Sequence, residues 1–304
     1  MVCCVCGTKD SEHFCVTRDR LHGVPGDFQY VRCRRCGVIY QNPQVVPEDV
    51  HHLYPEDYAP WDSPPGIAVL PKWKRALRDS FTITGLPSFV QQRLNRESQL
   101  LDVGCGNGKF MARIAADHPE CKVEGIDFSI RAAESAKDAG FEVHVGTLPE
   151  VAARLPKYDV ITMWWYLEHL HEPEEALRIC ARLLNPGGYL CCGVPNERSV
   201  CRLIFGGRWY HLDPPRHFWI FSPWSLSQLM DRAGLSTTYV KQDYSPWGIL
   251  GSLQYLLGNK SVPGASWVDN RYLKLIFRAP ALIQGLFHAG DTFAIYGQPK
   301  DPMA

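Results

Sequence analysis

Short apolar runs alternate with helical patterns through the middle of the chain. Residues 98–104, SQLLDVG, form an apolar run that ends at glycine, and residues 121–129, CKVEGIDFS, contain a second run. Between the two runs apolar side chains recur at helical spacing, namely those of Phe110, Met111, Ile114 and Ala115. This order predicts a strand, a helix and a second strand, the alternation that builds an α/β sheet.

The same patterns predict several other helices. Residues 221–235, FSPWSLSQLMDRAGL, are typical of a capped helix, with Ser222 as N-cap, Pro223 at the first position and Gly234 near the end. Further helical patterns occupy residues 71–81 and 88–97 and the apolar stretches 245–258 and 273–290, the last interrupted at Pro280.

The turn between the first strand and its helix carries Gly104, Gly106 and Gly108 at alternate positions. Backbone N–H groups at such a helix N-terminus can face a polar ligand. A dinucleotide fingerprint needs its third glycine at position 109, which is Lys, and the pattern of a phosphate loop is also absent. Asp127 ends the second strand, 19 residues after Gly108, where a carboxylate can accept both hydroxyls of a ribose.

Composition and charge narrow the class of protein. Apolar residues make up 45% of the 304 residues, enough for a sizeable core, and 32 Lys and Arg balance 32 Asp and Glu. This balance gives no support to a nucleic-acid partner. No apolar run approaches the length of a membrane span, and the first residues do not read as a signal peptide, so the cytoplasm is the expected location.

The N-terminal cysteines have the spacing of a metal site. Cys3 and Cys6 form one Cys-x2-Cys pair, Cys33 and Cys36 form another, and glycine follows each pair. Two such pairs complete the tetrahedral four-sulfur shell of a structural zinc ion, which leaves no open coordination position for catalysis. The sequence therefore predicts a zinc ribbon, with a strand in residues 27–32 leading to the second pair.

Four segments resemble, in order, the motifs of class I S-adenosylmethionine-dependent methyltransferases. They are LDVGCGNG (101–108), EGIDFS (124–129), YDVITMWWYLEHLHEPEEAL (158–177) and LLNPGGYLCCGVPN (183–196). The resemblance covers roughly residues 98–240. It implies an α/β fold with a Rossmann-like seven-stranded sheet flanked by helices, here with an N-terminal zinc ribbon and a C-terminal helical lid. Residues 291–299 would form its closing strand, antiparallel and at the sheet edge.

The resemblance also suggests a division of the chain. Residues 1–45 would form the zinc ribbon and residues 46–97 a linker with a helical segment. The S-adenosylmethionine-binding core would span 98–240, with an acceptor lid at about 205–222, and a helical extension with the closing strand would follow at 241–304.

The cofactor residues follow from the matched motifs. The resemblance implies that Asp127 holds the ribose and that Phe128 lies beside the adenine. The other implied cofactor-binding residues are Asp102, Gly104, Cys105, Gly106, Asn107, Gly108, Thr147, Leu148 and Trp164. An acidic residue is usual at the adenine edge, and Thr147 and Leu148 stand there instead, so that contact is expected from the backbone.

Glu168 and His169 are the first candidates for acceptor chemistry. The same pair occurs in ubiquinone-biosynthesis O-methyltransferases, which the chain resembles here, and His169 is expected to act as a general base. In an extended strand these neighbours would point apart, so only a turn can bring them together. The alternative is that they cap the next helix. In the lid, His217 is a further catalytic candidate, and the expected acceptor-binding residues are Trp165, Tyr166, Trp209, Tyr210 and Arg216.

These observations predict an enzyme that methylates a small-molecule acceptor, at oxygen, with structural zinc. The alternatives are a sugar C- or N-methyltransferase, a protein or RNA methyltransferase that uses the ribbon for recognition, and a non-catalytic scaffold. The C-terminal helices are most simply a lid or the face of a homodimer. Docking on lipid is disfavoured because the sequence shows no basic face there.

Overall fold

The computed structural model describes residues 1–54, 71–258 and 266–300, so part of the predicted linker lies outside the described residues. Its strands are β1 (Ser11–Thr17), β2 (Phe28–Cys33), β3 (Ile39–Gln41), β4 (Gln99–Val103), β5 (Lys122–Asp127), β6 (Glu142–Val145), β7 (Tyr158–Trp164), β8 (Leu184–Pro195), β9 (Trp219–Ile220), β10 (Leu235–Gln242) and β11 (Thr292–Pro299). Its α-helices are α1 (Lys72–Phe81), α2 (Ser88–Gln91), α3 (Lys109–Asp117), α4 (Ile130–Asp138), α5 (Leu148–Val151), α6 (Pro173–Leu183), α7 (Val200–Phe205), α8 (Pro223–Arg232), α9 (Trp247–Leu256), α10 (Arg271–Ile276) and α11 (Arg278–Leu286).

Seven strands form one sheet in the order β10-β11-β8-β7-β4-β5-β6, which confirms the predicted α/β fold. The five strands from β8 to β6 are parallel, and their central residues, such as Leu100 and Ile161, are completely buried. Apolar faces of α3 and α6 cover the sheet through residues such as Met111 and Leu177. Both faces of the sheet are therefore covered, as a parallel sheet requires.

The position predicted for the closing strand is wrong. β11 is antiparallel, as expected, but it lies inside the sheet between β8 and β10 rather than at the edge. Its first six residues are all buried, whereas β10 has exposed residues along its length. Because an edge strand faces solvent and an interior strand does not, the more apolar segment takes the interior place.

The N-terminal residues form a second sheet, in the order β1-β2-β3-β9. Its last strand, β9, comes from the segment predicted as the acceptor lid, and it pairs through Ile220 with Ile39 and through Trp219 with Tyr40. The Tyr30 hydroxyl of β2 also donates to the backbone carbonyl of His217, 2.8 Å away. The lid is thus hydrogen-bonded into the sheet that carries the cysteines.

Local signals predicted some helix boundaries better than others. α8 begins as expected, since the Ser222 hydroxyl accepts the Ser225 N–H and Pro223 is the first helical residue. The segment 88–97 gives only the four-residue helix α2. The break in the C-terminal helices falls at Phe277, not at Pro280, because proline fits the first turn of α11. None of the described helices is long and apolar enough to cross a bilayer.

Candidate functional site

The site lies where the strand order reverses. From β4 the sheet continues through β5 on one side and through β7 on the other, so a crevice opens at the carboxyl ends of these strands. The glycine turn that follows β4 lies at this edge, together with Asp127 at the end of β5 and the loop after β7. The fold therefore brings the sequence candidates to one place.

The glycine turn is shaped by close contacts. Gly104 has a φ of 75°, and a Cβ atom there would come within 2.4 Å of the Tyr166 ring. Gly108 caps α3 with a φ of 80°, and its Cβ would lie 3.1 Å from that of Ala136 on α4. Because both positions combine left-handed backbone with tight packing, only glycine fits them without strain.

Asp127 is held by the turn itself. Its carboxylate accepts the N–H of Gly106 at 2.8 Å and the N–H of Ser129 at 2.9 Å. Burial raises its pKa, while these two hydrogen bonds oppose the rise. The carboxylate is consequently fixed at the mouth of the turn.

A cavity of about 650 Å³ starts at this turn and continues past the loop after β7. Gly104, Gly106 and Asp127 line one end of it. The walls of the rest are mostly aromatic or imidazole side chains, contributed by Tyr54, Phe128, Trp164, Trp165, Tyr166, His169, His171, Tyr210, His211, His217 and Trp247. Such a mainly apolar cavity with a few polar groups suits a small organic ligand.

Glu168, His169 and His217 converge beside the cavity, which the two histidines line. A 3-10 turn over Leu167–His169 replaces the extended strand, so neighbouring side chains meet rather than diverge. Ligand atoms of the three residues lie within 4.8 Å of one another, and the Nε2 of His217 is 3.9 Å from Oε1 of Glu168. The helix-capping alternative for this pair does not hold, because α6 begins only at Pro173 and has no side-chain cap.

Backbone carbonyls fix the tautomers of the two histidines. Nδ1 of His169 lies 3.0 Å from the Arg216 carbonyl, and Nδ1 of His217 lies 2.9 Å from the His211 carbonyl. A carbonyl only accepts, so each Nδ1 carries the proton and each neutral ring keeps a lone pair on Nε2. The Tyr54 hydroxyl also approaches Nδ1 of His169, at 3.2 Å.

Burial sets the charge of this cluster. It raises the pKa of Glu168 to about 8 and lowers the pKa of His169 to about 3 and that of His217 to about 4. All three are therefore neutral at pH 7. Neither carboxyl oxygen of Glu168 has a hydrogen-bond partner among the described residues. Two imidazole lone pairs and an unsatisfied carboxyl form a donor set that one divalent cation can also use.

Arg216 lies behind the cavity, where its fully buried guanidinium pairs with two carboxylates. Its guanidinium makes two hydrogen bonds to the Asp19 carboxylate, at 2.9 and 3.0 Å, and two to Asp213, at 2.9 and 2.6 Å. Burial alone would raise the pKa of Asp213, but attraction to Arg216 holds it well below its usual range. Since Asp19 belongs to the N-terminal part of the chain, this network joins that part to the lid.

The four N-terminal cysteines form one cluster. Their sulfur atoms lie within 4.8 Å of one another, with Cys3 and Cys36 at 3.4 Å and Cys6 and Cys33 at 3.5 Å. In each pair the N–H of the following glycine donates to the carbonyl of the first cysteine, at 3.0 Å. The hydrogen bond with Cys36 lowers the pKa of Cys3 to about 5, which favours a thiolate. This arrangement fits the tetrahedral sulfur shell of zinc.

Comparison with known proteins identifies the family. A methyltransferase domain family matches residues 76–240, more than half of the chain. The ubiquinone biosynthesis O-methyltransferase of Bordetella avium is 30% identical over 183 residues, which cover 54% of this chain and 72% of that enzyme. The enzyme of the same name from Cereibacter sphaeroides is 32% identical over 45% of this chain and 60% of its own. This chain is an S-adenosylmethionine-dependent methyltransferase of class I.

A solved S-adenosylmethionine-dependent methyltransferase from Thermotoga maritima, described as a possible histamine N-methyltransferase, also matches. The match covers 75% of this chain and 94% of the Thermotoga chain, with 23% sequence identity and a TM-score of 0.44.

The residues expected to bind the cofactor are divided between the cavity wall and the structure behind it. Gly104, Gly106, Asp127, Phe128, Thr147 and Trp164 line the cavity. Asp102 is buried beneath it and accepts the Thr162 hydroxyl at 2.6 Å. The N–H of Thr147 is already bonded to the Glu150 carboxylate. Cys105, Asn107, Gly108 and Leu148 do not line the cavity either, so in this methyltransferase they shape the turn and its surroundings.

The acceptor candidates divide in the same way. Trp165, Tyr166 and Tyr210 line the cavity, whereas Trp209 is buried and donates from its indole N–H to Asp291, 2.8 Å away. Arg216 is buried in its ion pairs and does not reach the cavity. Trp165 has a φ of 52°, unusual for a large side chain, so the backbone is strained where the wall begins.

Several wall residues of the methyltransferase were not among the sequence candidates, including Leu21, Tyr54, Asp213 and Trp247. Leu21 and Tyr54 come from the N-terminal part of the chain, Asp213 lies within the predicted lid, and Trp247 begins α9. The Asp213 in "DPPRH" had the best signal, since an acid three residues before Arg216 can pair with it across one turn.

Proposed function

We propose that this methyltransferase transfers a methyl group to an oxygen of a small, largely apolar acceptor that carries a hydroxyl or phenol. The observation that supports this most is the single cavity that runs from the glycine turn to His169 and His217. Its aromatic walls suit a flat apolar molecule, and the imidazoles of His169 and His217 are, with the Asp213 carboxylate, among the polar groups at its far end. The relatives named ubiquinone biosynthesis O-methyltransferases agree with this class of acceptor.

The end of the cavity at the glycine turn fits S-adenosylmethionine. When bound, S-adenosylmethionine supplies an electrophilic sulfonium methyl group. Asp127 would accept the ribose hydroxyls, and Phe128, which is 41% exposed, would offer its ring to the adenine. The Tyr54 ring lies 5.7 Å from that of Phe128 and would close over it.

The other end of the cavity supplies a base. An acceptor hydroxyl becomes a strong nucleophile when its proton is removed, and a neutral imidazole can take that proton at Nε2. We assign this role to His169, with His217 beside it at a ring-centroid distance of 4.7 Å. The neutral Glu168 carboxyl has an oxygen within 4.8 Å of a ring nitrogen of each histidine, and its carbonyl dipole would stabilise the resulting imidazolium.

We propose that the four-cysteine cluster binds structural zinc and that the N-terminal segments it stabilises complete the wall of the acceptor cavity. The lid strand β9 belongs to the sheet that carries the cysteines. Leu21 and Tyr54 line the cavity, and Asp19 is bonded to Arg216 behind it. These contacts favour a small-molecule enzyme over one that presents the ribbon to protein or RNA. The division of the chain at 45, 97 and 240, a cytoplasmic location and a homodimer stay predictions.

Binding and turnover test the proposal separately. Asp127→Ala should weaken S-adenosylhomocysteine, measured by calorimetry, about 10- to 100-fold, because a hydrogen bond to a charged group contributes about 1.5–3 kcal/mol. Asp138→Ala, a change of an exposed acid at the end of α4, is the control. Unchanged binding by Asp127→Ala would contradict the cofactor assignment.

A screen of hydroxylated aromatic acceptors with labelled methyl donor tests the acceptor end. His169→Ala should lower kcat by roughly 10²–10⁴-fold without loss of S-adenosylhomocysteine binding. Transfer only to amines, sugar carbons, RNA or protein would reject the oxygen assignment, and wild-type kcat in His169→Ala would reject the base.

A further inference from the structure

The C-terminal helices expose an unusually apolar surface. α7, α9, α10 and α11 all carry large apolar side chains that are more than half exposed. These residues, which we call the C-terminal apolar face, are Leu203, Ile204, Leu256, Leu257, Leu275, Ile276, Ile283, Leu286 and Phe287. Scattered single apolar residues are normal on a protein surface, but nine on neighbouring helices mark an interaction site.

The same helices also have a buried side. Cys201 of α7, Ile249 of α9 and Ala281 of α11 lie in one hydrophobic cluster. The N–H of Val200 donates to the Ala289 carbonyl at 3.1 Å, which places the start of α7 against the end of α11. The helices are therefore already packed on the core through their inner sides, and the apolar face remains on the outside.

The charges on these helices have one sign. Within the bounds of α7, α9, α10 and α11 there is no Asp or Glu, whereas Arg271, Lys274 and Arg278 lie on α10 and α11. The nearest acid in sequence is Asp269, just before α10. In a chain whose charges balance overall, this is a local excess of positive charge.

The positive charge of these helices favours one of two possible binding partners over the other, namely a lipid bilayer over a second copy of the chain. A second copy of the chain docked through the same face would bring like charges together, which opposes a two-fold dimer. A bilayer with anionic headgroups matches both features, because apolar side chains enter the acyl boundary while basic side chains contact the headgroups. The sequence alone disfavoured lipid, since the basic and apolar residues are interleaved along the chain, whereas in the fold Arg271 and Arg278 are exposed on the same helices as the apolar residues.

We propose that the C-terminal apolar face docks on the surface of an anionic lipid bilayer. The face adjoins the acceptor cavity, since Trp247 at the start of α9 lines that cavity and Nζ of Lys274 lies 5.7 Å from the centre of its ring. Docking would bring the cavity close to the lipid, where an apolar acceptor concentrates. This last consequence rests on the proposed function, but docking itself does not.

Vesicle flotation with the full chain tests docking without any acceptor. Wild type should bind vesicles that contain phosphatidylglycerol and stay unbound with phosphatidylcholine alone, with binding reduced by salt. The pair Arg271→Glu and Arg278→Glu should weaken binding roughly 25-fold or more, at about five-fold for each basic charge near the surface. The pair Ile276→Ser and Phe287→Ser should weaken it by roughly 100-fold.

Matched controls lie on other faces of the molecule. Trp224→Ser changes an apolar side chain that is 54% exposed on α8, and Arg182→Glu reverses an exposed charge on α6. Both controls should bind vesicles like wild type, and all variants should keep the wild-type unfolding temperature and S-adenosylhomocysteine affinity. Wild type that floats with neither vesicle, controls that lose binding equally, or an apolar face that mediates a dimer without vesicle binding would each overturn the proposal.

Discussion

The buried pair of Asp19 and Arg216 should be the strongest link between the N-terminal residues 1–54, here called the N-terminal module, and the lid. Both side chains are fully buried, and Asp19 also accepts the N–H groups of Leu21, His22 and Val24 at 2.9 to 3.0 Å. Asp19→Ala removes one partner of the ion pair and all of these acceptors. Breaking a buried pair in this way costs about 3–5 kcal/mol, a large share of a typical free energy of unfolding of about 5–15 kcal/mol.

Urea unfolding followed by tryptophan fluorescence measures this cost. The midpoint should fall by the amount that corresponds to about 3–5 kcal/mol, with the slope unchanged. Asp27→Ala is the matched control, because its pair with Arg18 lies in the same module but is exposed, and no resolvable change is expected. If Asp19→Ala unfolds at the wild-type midpoint, the module and the lid are not held together by this pair.

Three further outcomes follow from the site. Elemental analysis should find zinc in the wild type and none in Cys33→Ser, which should also unfold at a lower temperature, and wild type without metal would exclude the zinc assignment. Burial raises the pKa of Asp102 to about 7, so stability falls as pH rises from about 4 through 7. Asp102→Asn, which keeps an acceptor for Thr162, should flatten that dependence, and an unchanged profile would exclude this origin. Tyr54→Phe should lower kcat/KM about 2- to 10-fold by removing the hydroxyl next to His169, whereas an unchanged value would mean that the contact has no catalytic effect.

The cofactor end could be predicted from sequence because its determinants are local. A glycine turn after an apolar run and an acid at the end of the next strand are fixed by backbone geometry over a few residues. From sequence, Glu168 and His169 could be expected to converge only if a turn followed the strand. The structure has this turn over Leu167–His169. In each case the signal and the structure it specifies lie within one strand–loop–helix unit.

The acceptor end depends on contacts between distant parts of the chain. Asp19 meets Arg216 across 197 residues, and Tyr54 meets His169 across 115. Neither Asp19 nor Tyr54 stands in a motif, and a buried acid in a loop looks like a solvated one in sequence. The interior position of β11 was missed for a related reason. Strand order in a sheet depends on which strands pair with each other, and the apolar pattern of one strand does not specify its neighbours.

These long contacts connect the four-cysteine cluster to the histidines of the site. Cys33 ends β2, β2 pairs with β3, and β3 pairs with β9, which begins two residues after His217. The carbonyls that fix the histidine tautomers belong to Arg216 and His211, within the lid segment that this sheet holds. A change in the sulfur cluster would therefore be transmitted through this sheet to the lid segment that orients the two histidines. Loss of zinc should accordingly lower kcat in step with the loss of lid order, while the affinity for S-adenosylhomocysteine, which depends on β4 and β5, should change much less.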